Sequence, residues 1–221
     1  MGLDMYLEKA KRIGNVTPQQ LRNVDGYLSW TDESKSGKQF SLKEWCGIDE
    51  KDVDMSLVDN YRDDYIHRYS HWDTEKKYGW KTIFQNITSW RKANHIHQWF
   101  VDNVQDGVDD CGTYEVTKEQ LEELLDVCKV VLAASKLIKG KIKNGEMIKD
   151  GKWVVNYEDG EYIEDSTVAR RLLPTQSGFF FGGTEYDQWY YEDVKQTVEI
   201  IENVLATIDF EHEIVMYSSS W

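Results

Sequence analysis

Cysteine is scarce in this chain, and nothing organises what there is. Cys46, Cys111 and Cys128 are the only three, and no two stand in a CxxC spacing. An odd count cannot pair off completely, which argues against a disulfide framework and a structural zinc site and suits a reducing compartment. No apolar stretch approaches the length that spans a membrane. The opening Met1-Gly2-Leu3-Asp4 lacks the basic region and apolar run of a secretory signal, and Leu7 stands where a myristoylation motif wants Ser or Thr. A cytoplasmic protein with no membrane partner is therefore expected.

Positive charge is also short. Lys and Arg number 26 against 40 Asp and Glu, giving a net charge of −14, and no dense basic block appears. Repulsion from phosphates then disfavours direct nucleic-acid binding. The common catalytic signatures are missing as well: no Gly-x-Ser-x-Gly, no Gly-x-Gly-x-x-Gly, no P-loop, and no Cys with a His partner in sequence. No cofactor is expected, and these gaps weigh against an enzyme.

What is present is globular. Hydrophobic residues make up 40% and charged residues 30% of 221, enough for one medium domain with a sizeable core. Nine Trp and thirteen Tyr imply that some rings lie at the surface or line a groove, where aromatics often serve binding. Leu3, Met5 and Leu7 alternate with Asp4, Tyr6 and Glu8, the period of a half-buried strand. Thr17-Pro18-Gln19-Gln20 opens a helix to about Leu28, and Thr117 with Gln120 opens another. Short helical turns are expected at Leu42–Cys46 and Val53–Asn60, and a helix over Tyr61–Tyr69.

The apolar spacing of Trp90, Ala93, His97, Phe100, Val101 and Val104 predicts one helix over about Asn86–Val104, with Arg91, His95, Gln98 and Asp102 on its wet side. Lys139–Asp165 reads as a hairpin inserted into the domain, with turn dipeptides Asn144-Gly145, Asp150-Gly151 and Asp159-Gly160. Phe179-Phe180-Phe181 reads as a buried strand, Tyr186–Ile208 as the last helix, and Phe210–Tyr217 as a final strand. Strands at both ends with helices between predict an α+β fold, one sheet holding both terminal strands with several helices packed on it.

Three constellations carry candidate chemistry. His97 falls within an apolar stripe with Asn94 one turn earlier; a buried imidazole beside an amide can hold a ligand or move a proton, and equally can fill a core with its hydrogen bonds satisfied. The loop Pro174-Thr175-Gln176-Ser177-Gly178 can offer hydroxyls and backbone N–H groups to an anion, and can equally be a plain connection. Asp63, His67 and His71 at i, i+4 and i+8 could chelate a divalent ion, although an exposed polar face accounts for the same spacing.

Several segments resemble a family of small bacteriophage and prophage proteins: Gly2-Leu3-Asp4-Met5-Tyr6-Leu7, Trp90-Arg91-Lys92-Ala93-Asn94 with His97 and Trp99-Phe100, Asp110-Cys111, Leu173-Pro174-Thr175 with Ser177-Gly178-Phe179-Phe180-Phe181-Gly182, and the Tyr217–Trp221 ending. The resemblance spans most of the chain except Lys139–Asp165. It implies a phage origin and the host cytoplasm, and no catalytic roles. Small phage accessory proteins often act against host defence, so the expected function is capture of a small anionic, nucleotide-like ligand or of a host defence protein. Arg91, Asn94, His97, Thr175, Ser177 and Tyr186 are the expected ligand-binding residues. Two alternatives stand beside it: an enzyme modifying a nucleotide or other metabolite with His97 as acid/base, and an acidic inhibitor of a host nucleic-acid-binding protein.

Overall fold

The computed structural model describes residues 2–33, 40–54, 56–57, 67–68, 79–80 and 84–221, with backbone alone for 28–33, 67–68 and 79–80. Its main sheet has four antiparallel strands in the order β4-β1-β8-β5: β4 Gln85–Arg91, β1 Asp4–Lys11, β8 Glu213–Ser220 and β5 Thr113–Val116. The first and last strands of the chain are thus neighbours at the centre, and the α+β expectation holds. A two-residue pair, β2 His67–Arg68 with β3 Gly79–Trp80, lies apart from it.

Central strands in this sheet are buried on both faces, and β8 shows why. Val215 and Tyr217 point into one core with Leu3, Met5 and Leu7, while Ile214 and Met216 point into another with Ala10, Leu21 and Val24. Period-two alternation of apolar residues on both sides demands a cover on each. Helices α1 (Pro18–Glu33) and α2 (Leu42–Cys46) contribute to the second core. Helices α3 (Asn94–Asn103), α4 (Lys118–Ala134) and α6 (Gln188–Thr207) build the first. The helices therefore cover both faces of the sheet rather than stacking on one.

Local chemistry fixes the helix starts. Thr17 and Gln20 exchange hydrogen bonds across the first turn of α1, and Thr117 and Gln120 do the same for α4. Each capping box satisfies two backbone donors that a helix end leaves orphaned. The helix expected over 86–104 divides in two: Gln85–Arg91 is an edge strand paired to β1, and only Asn94–Asn103 is helical. The helical spacing of Trp90, Ala93 and His97 crosses a strand-to-helix junction, so tertiary pairing overrides it.

The hairpin comprises β6 Leu137–Lys149 and β7 Lys152–Ile163. Asp150 and Gly151 both have positive φ, as a tight two-residue turn requires. Asn144-Gly145 is not a turn but an irregularity within β6, where the register shifts between Lys143 and Glu146, and Asp159-Gly160 lies inside β7. At its base the hairpin is tied to the segment before α6: Ile163 donates to the Tyr186 carbonyl at 2.9 Å, and Glu161 N–H to Gln188 Oε1 at 2.9 Å. A short helix, α5 (Thr167–Leu172), follows.

Phe179-Phe180-Phe181 is a turn and not a strand; Phe179 and Phe180 are exposed and only Phe181 is buried. Of the Asp63, His67 and His71 set, Asp63 and His71 lie outside the described residues, as does most of the helix expected over 61–69. His67 itself is in β2. Among the described residues no helix is long and apolar enough to cross a membrane.

Candidate functional site

Helix α3 is the structural hub, because seven of its ten residues are buried. Asn94, at its start, is 1% exposed and spends its whole amide on one loop. Its Nδ2 donates to the carbonyls of Phe181 (3.1 Å) and Gly183 (2.8 Å), and its Oδ1 accepts from Gln176 N–H at 2.8 Å. The 174–183 loop has little regular structure of its own, so this amide supplies the partners its backbone needs. Gly182 completes the seal. It sits at φ +98, where a Cβ would lie 2.9 Å from Lys92 Cβ and 3.0 Å from the Lys92 carbonyl, so only glycine lets the loop press so close.

His97 lies one turn later on α3 and is 0% exposed. Nδ1 meets the Tyr217 hydroxyl at 2.7 Å and Nε2 meets Asp109 Oδ2 at 3.1 Å. A carboxylate only accepts, so Nε2 carries the proton and Nδ1 accepts from Tyr217. Asp109 also accepts from Trp221 Nε1 at 3.0 Å. Tyr217 stacks on Phe100 with centroids 4.0 Å apart. Both imidazole nitrogens are engaged within the core, and no sulfur is among their partners; Cys111 is exposed.

His95 behaves differently. It was expected on the wet side, yet it is 3% exposed, its ring 4.3 Å from that of Tyr190. Because the helix begins at Asn94, His95 falls in the first turn, between the 180s loop and α6. Its Nε2 is buried with no hydrogen-bond partner among the described residues. Burial pushes its pKa down to about 3, so the ring is neutral.

That imidazole lies in the wall of a cleft of about 890 Å³. One rim carries Arg91 and Lys92; the other is the irregular part of β6 with Lys143; Phe180, Trp189 and Tyr190 supply aromatic surface; Asp193 lies in the wall beside them. Phe180 and Trp189 are 56% and 60% exposed, so their faces are open to a ligand. Burial first, then the Asp187 and Glu192 carboxylates, raise the Asp193 pKa to about 7. Asp187 also lines the cleft, but its carboxylate caps α6 by accepting from Trp189 N–H (2.9 Å) and Tyr190 N–H (3.3 Å).

The six expected site residues thus separate. Arg91 and Thr175 line the cleft. Tyr186 lines an adjoining smaller cavity, and its hydroxyl accepts from Thr175 N–H at 3.1 Å. Asn94 holds the loop that forms the cleft's lip, His97 is enclosed in the core, and Ser177 is exposed and does not line the cleft. His95 and Asp193 were not singled out. Asp193 had a signal: it is an acid set among Tyr190, Val194 and Thr197 on the buried stripe of α6. Among the described residues Asp209, Glu211 and His212 bring potential metal-ligand atoms within 4.8 Å of one another, but all three are exposed and His212 already bonds Asp209 at 2.8 Å. Comparisons with protein-family models, curated proteins and solved structures found no match to this chain.

Proposed function

We propose that this protein binds a small, ring-bearing anionic molecule of nucleotide-like chemistry in the cleft beside α3. The observation that carries the reading is the buried Nε2 of His95 without a partner. A polar atom left unsatisfied costs about 1–3 kcal/mol, and such a cost persists where a ligand relieves it. Phe180 and Trp189 offer faces for a planar ring, and Lys92 supplies positive charge beside Arg91 and Lys143, which are paired to Asp4 at 3.7 Å and Glu146 at 2.8 Å. The resemblance to phage proteins supplies the setting: a chain made in an infected host would withdraw such a molecule from a defence signal, or occupy a defence protein through the same face.

His95→Phe tests it. The ring volume is nearly kept and the orphan nitrogen is lost, so stability rises by about 1 kcal/mol while ligand is no longer retained. Wild-type and variant protein are purified alike, denatured, and the released small molecules identified by mass spectrometry; thermal unfolding is read in parallel. A variant that retains the same ligand as wild type removes His95 from the site and the reading with it.

Acid/base catalysis is the second reading, favoured by one observation: the cleft wall holds two titratable groups whose pKa values are pushed in opposite directions, His95 down and Asp193 up. Turnover of a nucleotide panel that disappears in Asp193→Asn would establish it. Ligand recovered unchanged from wild-type protein favours capture.

A further inference from the structure

Arg170 lies outside the cleft and lines the cavity that adjoins it. It stands on α5 in the adjoining cavity of about 290 Å³, with Lys141, Lys143, Ser166 and Tyr186 among the lining residues. Its guanidinium lies 4.4 Å from the Tyr186 ring centroid, and its Nε donates to Ser166 Oγ at 2.9 Å. Those contacts fix the plane of the group and engage one of its five N–H donors. In a chain with 40 carboxylates, no carboxylate pairs with Arg170 among the described residues. Arg170 is itself exposed, as Arg91 is, but Arg91 already stands 3.7 Å from the Asp4 carboxylate. A held guanidinium with unspent donors matches the oxygens of a phosphate.

The two cavities are continuous in their lining, since Lys143, Glu185 and Asp187 belong to both. We infer that the smaller cavity is a phosphate subsite with Arg170 as its anchor; Lys141 and Lys143 also line it, each already paired to a carboxylate, Asp159 and Glu146, at 2.8 Å. Ser166 accepts from Arg170 and keeps its own O–H to donate to the anion. This deepens the cleft reading and rests on it for the rest of the ligand. The ring lies against Trp189 and His95, the phosphate beyond Lys143, and the Glu185 carboxylate between them accepts from hydroxyls of a linking sugar. The ligand class is then a nucleoside phosphate rather than a free nucleoside or a carboxylate.

Inorganic phosphate titrated into the full chain provides the test, followed at the Arg170 Nε–H and Ser166 amide resonances. Saturable shifts are expected, at least tenfold weaker in Arg170→Ala and partly restored in Arg170→Lys, and unaltered in His95→Phe. Adenosine and adenosine monophosphate are then compared by quenching of tryptophan fluorescence. The monophosphate binds at least tenfold more tightly than adenosine in wild type, and Arg170→Ala removes that difference without weakening adenosine. Phosphate shifts of the same strength in Arg170→Ala overturn the subsite. Loss of adenosine binding in His95→Phe together with an Arg170-independent preference for phosphate overturns it too, while leaving the cleft reading intact. Phosphate held by Arg170 in a protein that binds neither adenosine nor its phosphate keeps the subsite and overturns the cleft. Thermal unfolding of each variant confirms that it is folded.

Discussion

Asn94→Ala costs this protein about 3–4 kcal/mol of stability and abolishes ligand binding with no ligand contact removed. The amide is 1% exposed and makes three hydrogen bonds, two to carbonyls and one from an N–H, all within the 174–183 loop. Truncation leaves those backbone groups facing a small cavity, and each unpaired buried group costs about 1–3 kcal/mol. Thr175, Phe180, Gly182 and Gly183 line the cleft from the same stretch, so the lip loosens as the bonds go. Urea unfolding measures the first effect, and amide exchange at Gln176 the second, with protection lost at that position ahead of the sheet. A cost below about 1 kcal/mol, with Gln176 still protected, would mean that Asn94 does not hold the loop. His97 belongs to the same class, since its bonds to Tyr217 and Asp109 tie α3 to β8 and to the turn before β5. Activity screens alone would score both residues as ligand contacts; stability separates them from His95, whose replacement by phenylalanine moves stability the other way.

That contrast marks where the sequence could be read and where it could not. Strand alternation at Leu3, Met5 and Leu7, the two Thr/Gln capping boxes and the stripe of α6 are written within a few residues of where they act. Alternation in both terminal segments made a shared sheet legible, whereas their being neighbours in it is set by long-range pairing. The strand at Gln85–Arg91 was hidden because its last apolar residue, Trp90, falls by chance in helical phase with Ala93 and His97; its partner is β1, some 80 residues earlier in sequence. A helix beginning at Asn86 would turn His95 outward, whereas one beginning at Asn94 buries it. The three phenylalanines read as a buried strand by composition alone, while Asn94, far away in sequence, fixes them as a turn. Of the residues singled out in the sequence, Arg91 and Thr175 line the cleft. The burial of His95 was not legible, because it comes from a contact distant in sequence, its ring lying 4.3 Å from that of Tyr190 on α6.

Stability against pH gives the most discriminating result for those two groups. Their signs oppose. His95 has a pKa near 3 when folded against about 6.5 unfolded, so between those values the unfolded chain binds the extra proton and stability rises with pH. Asp193 has a pKa near 7 when folded against about 3.9 unfolded, so there the folded chain binds the extra proton and stability falls as pH rises. From about pH 4 to 6.5 the two contributions cancel in the wild type. Asp193→Asn leaves the histidine alone, and stability climbs by up to about 1.4 kcal/mol per pH unit; His95→Phe leaves the aspartate alone, and stability drops at a similar rate. The two variants therefore diverge by about 4 kcal/mol between pH 4.5 and 6, measured by urea unfolding, while every other titrating group, including Asp187, Glu185 and Glu192, is common to both. Parallel curves would mean that neither group is perturbed. The same carboxyl lines the cleft. Protonated, Asp193 donates a hydrogen bond into the cleft; ionised, it repels an anion there. Affinity for adenosine monophosphate accordingly falls as pH rises through about 7 in the wild type and stays level in Asp193→Asn, which a capture protein and an acid/base enzyme would share but a surface-charge inhibitor would not.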